Sequence, residues 1–187
     1  MLPLVLIGPV AVGKSTVGST LADLLCVPFV DLDEIAAPYY EQCGAPIEVL
    51  IEHAHADGFL AAHAWWQPAR AHAAATAVAD HPGSVIAFGA GHSHFEDEKF
   101  AAMIREVLAG ATVVLLSAAP DEATAVKELR RRCVADRGED QDWMIEGVDM
   151  LREWVTSEQN RRLADVTVVT ADRSAAEVAA EILLSVG

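Results

Sequence analysis

Five short aliphatic runs, Leu2–Ile7, Pro28–Asp31, Ser84–Phe88, Thr112–Leu116 and Val166–Val169, punctuate a chain whose other apolar residues recur at helical spacing. The runs are nearly continuous in apolar character rather than alternating. That predicts strands buried on both faces, and so a parallel sheet. Between them the 3.6-residue period predicts helices over Lys14–Leu25, Leu32–Glu41, Ile47–His55, Phe59–Val78, Asp97–Leu108, Asp121–Cys133, Trp143–Arg161 and Ala175–Leu184. Pro68 falls inside the fourth helix and predicts a kink or break near Gln67. Right-handed crossovers then give a doubly wound α/β domain with helices on both faces, whose ligands gather at the carboxyl ends of the strands. The loops after Ile7, Val30, Phe88 and Leu116 accordingly share one crevice. No repeat or linker interrupts residues 1–187, which read as one domain.

The first of these loops carries the strongest chemical signal. Gly8-Pro9-Val10-Ala11-Val12-Gly13-Lys14-Ser15 satisfies G-x-x-x-x-G-K-S/T without mismatch, between a strand and a helix as that motif requires. The glycines let the backbone turn its N–H groups inward, and the helix start adds partial positive charge. Gly8, Ala11, Val12, Gly13 and Thr16 are thus expected to cradle the phosphates of a nucleoside triphosphate. Lys14 is expected at the β- and γ-phosphates, and the Ser15 hydroxyl on Mg²⁺.

Charge narrows the partners. With a net charge of −15 the chain repels nucleic acid and anionic membranes, so neither is expected as a partner. A nucleoside triphosphate such as ATP is also an anion, which calls for local positive charge. Lys127, Arg130, Arg131, Arg132 and Arg137, five of only 13 basic residues, lie within eleven positions of one another and read either as a solvated helix face or as a functional cluster. The polar run Asp136–Asp140 beyond them reads as the tip of a flap, expected over about residues 127–142. Arginines on a closing flap neutralise a transferring phosphoryl group and exclude water, with Arg130 and Arg137 as the candidates. Three cysteines without C-x-x-C spacing suggest reduced thiols in the cytoplasm and no metal site of their own. No apolar stretch is long enough to span a membrane.

Further candidates sit at the other strand ends. Asp31 and Asp33 close the second run. Phosphoryl transfer to a hydroxyl needs a carboxylate that organises the metal, assigned to Asp31, and one that orients or deprotonates the acceptor, assigned to Asp33. Either aspartate also suits the N-cap of the following helix. Gly89, Ala90 and Gly91 allow close approach to a ligand, and His92 is either a contact there or part of a tight turn. Trp65 or Trp66 would stack on a planar substrate, or else pack, as Trp143 and Trp154 are expected to do. The loop Thr170–Arg173, including Asp172, offers backbone for adenine, or simply leads to a helix start at Ser174.

Together Gly8–Ala22, Phe29–Ile35, Gly89–Gly91 and Leu163–Val168 resemble shikimate kinase and its relatives in the nucleoside-monophosphate-kinase group of P-loop proteins. The resemblance implies a P-loop fold of strand order 2-3-1-4-5 with a flap, ATP and Mg²⁺ as cofactors, and an acceptor-binding helical region over about residues 34–80. It departs where that family holds its substrate. The Gly-Glu then Phe-Arg pattern is replaced by Asp57–His63, putting His63 in place of an arginine, and Thr156 and Asn160 stand near the expected arginine and tyrosine before the last strand. Each lost charge-assisted bond weakens a carboxylate clamp by about 1.5–3 kcal/mol. Arg70 lies one or two turns further on as a substitute. The expected function is therefore an ATP-dependent small-molecule kinase acting on a hydroxyl, with a diverged acceptor site suited to a neutral or planar compound, a nucleoside or antibiotic-type acceptor included. A monomer or a dimer fits equally. The contrasting expectation is an ATP-binding switch that recruits a protein partner. No N-K-x-D motif supports guanine recognition.

Overall fold

The computed structural model describes residues 2–137 and 142–186, apart from the side chains of residues 136 and 137. Five parallel strands form its centre: β1 (Leu4–Ile7), β2 (Phe29–Asp31), β3 (Val85–Ala87), β4 (Thr112–Ser117) and β7 (Val166–Val169). Their order is β2-β3-β1-β4-β7, which is 2-3-1-4-5 when the sheet's own strands are counted. In register, Leu4 lies beside Val85 on one side and Thr112 on the other.

Alternation along the strands divides the core. Leu4, Leu6, Val85, Val114 and Leu116 face a layer built by α1 (Lys14–Leu25), α8 (Glu122–Arg137), α9 (Met150–Val155) and α11 (Ala175–Val186). Val5, Ile7, Ile86 and Val113 face the opposite layer, with α2 (Leu32–Ile35), α3 (Ala37–Gln42), α6 (Gln67–Asp80) and α7 (Glu98–Leu108). Both faces are dry, as the unbroken apolar runs require. The alanines of α6 make close packing possible: Ala69, Ala71, Ala73, Ala74 and Ala77 are all buried.

Prolines set the breaks in the acceptor-side helices. Pro68 stands in the first turn of α6, so the expected helix Phe59–Val78 divides into α5 (Phe59–Trp65) and α6. Proline is tolerated there because a first-turn N–H has no intrahelical partner. Pro38 likewise opens α3, and the expected helix Leu32–Glu41 becomes α2 and α3. Helix α4 (Ile47–Asp57) precedes α5, with Gly58 at φ 91° between them.

The largest departure from the sequence pattern lies at 143–161. A single helix was expected there. Instead β5 (Met144–Ile145) and β6 (Val148–Asp149) form an antiparallel hairpin, followed by α9 and α10 (Glu158–Leu163). The reason is the turn: Glu146 and Gly147 both have positive φ, 51° and 83°, which suits a two-residue hairpin and stops a helix. Helix α8 also runs four residues beyond the expected Cys133. No helix among the described residues is long and apolar enough to cross a membrane.

Candidate active site

A cleft of about 580 Å³ opens at the carboxyl ends of β1, β2 and β3. Its floor is the phosphate-binding loop. Gly8 has φ 137°, and a Cβ there would lie 2.6 Å from the Leu116 carbonyl oxygen, so only glycine fits against β4. Gly13, at φ 102°, is the N-cap of α1. No side chain caps this helix and its first turn carries no acid, so Lys14, Ser15 and Thr16 open its amides toward the cleft they line. Val12 is fully buried beneath the loop, while Ala11 lines the cleft. The described backbone therefore fits an anionic phosphate chain.

Lys14 is folded over the loop, its Nζ donating to the carbonyls of Gly8 (2.9 Å) and Pro9 (2.6 Å). Burial lowers its pKa to about 8, against the carboxylates of Asp33 and Asp31, which act to raise it. The Ser15 hydroxyl donates to Asp31 Oδ2 at 2.5 Å. A hydroxyl and a carboxylate converging in this way supply hard oxygen ligands of the kind Mg²⁺ takes beside substrate phosphates and water. Among the described residues no group of three or more His, Cys, Asp or Glu side chains is placed to hold a metal ion. Asp31 also caps α2 by accepting from the Asp33 N–H at 3.1 Å. The alternative reading of an N-cap thus applies to Asp31, and its second oxygen still serves Ser15.

Asp33 sits on the first turn of α2, its side chain 66% exposed at the cleft. It leans across Gly89, where any Cβ would collide with the carboxylate. Gly91 performs a similar service for Arg70 and His63, whose atoms lie 3.0 and 3.2 Å from the position of an added Cβ. Arg70 is 2% exposed. Its Nη1 donates to the carbonyls of Gly91 and His94, and its Nη2 to that of His63, so the guanidinium braces the loop after β3. Burial, and then the charge of Arg70, hold His63 and His92 at pKa values of about 3, so both rings are neutral.

Much of the remaining lining is aromatic. Tyr40, Phe59 and Trp66 come from the helical region, and Trp143 and Trp154 from the hairpin side. The last two meet edge to face at 5.0 Å between centroids. Trp65 is instead an outer residue stacked on His53. The hairpin is tied to the helical region at its tip, where Glu146 Oε1 accepts from the Phe59 N–H at 2.6 Å. Nothing in the apolar period marked Tyr40, Trp143 or Trp154 as cleft residues. The dipeptide Glu146-Gly147 was the available signal for the hairpin that brings the two tryptophans there.

The arginine cluster divides. Arg130 pairs with Asp149 at 2.7 Å and donates to the Asp142 carbonyl, holding α8 to the hairpin outside the cleft lining. Arg132 reaches the phosphate loop, with Nη1 3.4 Å from the Ala11 carbonyl, although its position in the cluster offered no reason to prefer it. The side chain of Arg137 and the flap tip at 138–141 lie outside the described residues. Asp172 is exposed in a left-handed turn and does not line the cleft. After it Ser174 and Glu177 form a reciprocal capping box for α11: Ser174 N–H donates to Glu177 Oε2 at 2.8 Å, and Glu177 N–H to Ser174 Oγ at 3.3 Å.

Comparisons with known proteins give these geometries a context. The family model described as shikimate kinase matches residues 10–186. A shikimate kinase from Alteromonas mediterranea is 29% identical over 182 residues, covering 97% of this chain and 95% of that protein. The structure of a shikimate kinase from Acinetobacter baumannii in complex with shikimate superposes with a TM-score of 0.65 at 23% identity, covering 98% of this chain and 91% of that one. A gluconokinase from Sinorhizobium meliloti superposes with a TM-score of 0.56 at 18% identity, covering 98% and 90%. At such identities the two structures share a fold with this chain, and the fold does not choose between their acceptors.

Proposed function

The chain belongs to the shikimate kinase family, and on that footing we propose that it transfers the γ-phosphate of ATP to a hydroxyl of a neutral or planar small metabolite. The family's members are phosphotransferases with an alcohol acceptor that use ATP and Mg²⁺. The observation that carries the reading is the placing of Asp33, Lys14 and the Ser15–Asp31 pair around one cleft.

ATP supplies the transferable phosphoryl group, and Mg²⁺ offsets the charge on its oxygens. The amides of Gly8–Thr16 and the Lys14 ammonium bind and orient the phosphates. Ser15 and Asp31 would hold the cation. Asp33 accepts the proton of the acceptor hydroxyl as that oxygen meets phosphorus. Residues 34–80 would form the acceptor region and residues 127–142 the flap, with Arg137 as its candidate arginine; Arg130 would have to leave Asp149 to serve there, and Asp172 would meet the adenine only outside the cleft lining.

Support for a diverged acceptor comes from the cleft lining. Among the described lining residues the cations are Lys14, committed to the phosphate loop, and Arg70, whose Nη groups already serve three carbonyls. His63 is neutral where the resemblance would place an arginine. Aromatic faces of Tyr40, Trp66 and Trp143 suit a flat or uncharged surface better than a carboxylate. An acceptor panel read by ADP release tests this. Neutral cyclic polyols or nucleosides are expected to exceed shikimate and gluconate in kcat/KM by at least about tenfold, the effect of one charge-assisted bond. Shikimate as the best substrate would overturn the acceptor class. Failure of every small alcohol to raise ADP release above slow hydrolysis would overturn the kinase.

Nucleotide binding should also carry a proton. With its pKa near 8, most of Lys14 is neutral at pH 9. Phosphate oxygens favour the ammonium, so ADP binding at pH 9 should take up close to one proton, and affinity should fall as pH rises through 8. Calorimetry in buffers of different ionisation enthalpy measures the uptake, and Lys14→Met should abolish it. Equal proton counts in the two proteins would remove Lys14 from the phosphates.

A further inference from the structure

We infer that His92 is a positioning residue for Asp33: its ring, set by Tyr40, presents Nδ1–H to one carboxylate oxygen and leaves the other oxygen to the acceptor hydroxyl. This deepens the reading of Asp33 as the acceptor's base and rests on it.

The turn after β3 makes the arrangement. Ala90–His92 form a single 3₁₀ turn, closed by the His92 N–H donating to the Gly89 carbonyl at 2.9 Å. The turn sends the imidazole inward, where it is 4% exposed. Its Nε2 lies 2.7 Å from the Tyr40 hydroxyl. The two rings are nearly parallel, 9° apart with centroids at 6.1 Å, and Phe88 meets the imidazole edge-on at 6.4 Å. Tyr40 is itself wedged against Trp66 at 4.3 Å, and the Trp66 indole N–H is fastened to the Ala45 carbonyl at 3.1 Å. Burial, stacking and the shared hydrogen bond hold the two rings in place.

The other nitrogen is the informative one. His92 Nδ1 is buried and has no partner at hydrogen-bond geometry among the described residues, although the Gly89 carbonyl also acts on the ring, and it lies 3.6 Å from Asp33 Oδ1. Buried polar atoms are seldom left so. The separation exceeds a hydrogen bond, but Asp33 is the exposed member of the pair, and a small rotation of its side chain closes the gap. Catalytic contacts of this kind commonly tighten when ligand binds. Gly89 leaves the space in which the carboxylate stands, since a Cβ there would occupy it.

Tautomer follows from what each neighbour can do. Burial, then the charge of Asp33, raises the pKa of Tyr40 far above its ordinary value, so the phenol keeps its proton and has one to donate. A carboxylate only accepts. The consistent arrangement is Tyr40 O–H to Nε2 and Nδ1–H to Asp33. The other tautomer would set a lone pair against Oδ1. The ring stays neutral, so it orients the carboxylate without cancelling its charge as an imidazolium would. During transfer the acceptor's proton passes to the other oxygen of Asp33 as the new P–O bond forms, and His92 neither gains nor loses a proton. Its contribution is to hold one carboxylate orientation out of several, which is an effect on productive geometry.

The test has two arms. Ring ¹⁵N NMR of the histidine-labelled full chain needs no acceptor. It should find His92 as the neutral Nδ1–H tautomer between pH 5 and 8, with Tyr40→Phe admitting the Nε2–H form and Asp33→Asn shifting Nδ1. In turnover with an accepted alcohol, His92→Leu should lower kcat by about 10- to 100-fold, within the range of a general-base contribution, with ADP affinity and acceptor KM within about twofold. His92→Asn, which keeps a donor where Nδ1 stood, should recover most of that loss. Adding His92→Leu to Asp33→Asn should cost less than about twofold more, because the two act as one unit. An Nε2–H tautomer in the unsubstituted protein, additive losses, or an effect on KM alone would overturn the inference. Absence of any turnover would count against the kinase reading instead, and the NMR arm would still decide the role of His92.

Discussion

Asp33→Asn should lower phosphoryl transfer by about 10²- to 10⁴-fold, the usual contribution of a positioned general base, while ADP–Mg²⁺ affinity stays within a few-fold. The asymmetry follows from position. Asp33 lies beside the loop after β3, whereas Asp31 holds Ser15. Its charge does help to keep Lys14 protonated. The nucleotide affinity of the variant should therefore weaken slightly at pH 9 and not at pH 7. Steady-state ADP release with an accepted alcohol, set beside calorimetric titration of ADP, separates the two effects. An ATP-dependent switch predicts the opposite pattern, since partner recruitment needs no base facing an acceptor. Full retention of transfer in Asp33→Asn would remove this carboxylate from the chemistry.

Lys14→Met should be as severe in turnover, at about 10³-fold, and should also weaken nucleotide binding. A preorganised donor aimed at developing charge is worth about 10²- to 10³-fold in kcat, and this one carries a full charge. Stability should change little. The side chain is partly buried, burial is the main influence lowering its pKa, and methionine fills similar volume without a charge to desolvate. Thermal unfolding close to that of the unsubstituted chain, with turnover lost, is the expected pair of results. Retained turnover would show that the ammonium does not face the transferring phosphate.

The site was legible in the sequence to an uneven degree. The phosphate cradle could be read because all of its parts lie in nine consecutive residues, and the backbone geometry follows from their types. The strand ends that frame the cleft were legible for a related reason: unbroken apolar runs bury both faces, and parallel pairing places every carboxyl end on one side. Asp31 and Asp33 could be placed in the cleft by that rule, but not told apart by capping, which depends on the direction each side chain takes from α2. The hairpin at 144–149 escaped because its strands are two residues long, too short for a period to register, and its turn overrides the helical spacing around it.

Composition and local order were enough to specify the α/β alternation, the phosphate loop and the carboxylate pair, because each depends on contacts between near neighbours in the chain. The setting of the acceptor side arose only on folding. Tyr40 and His92 are 52 positions apart and meet at 2.7 Å. Arg70 finds its carbonyl partners across the loop after β3, and Glu146 reaches Phe59 over 87 positions. Such pairings are fixed by how layers of helix close on a sheet, through the volume of each side chain and the space left by glycines at 58, 89 and 91, and no short stretch of residues encodes them.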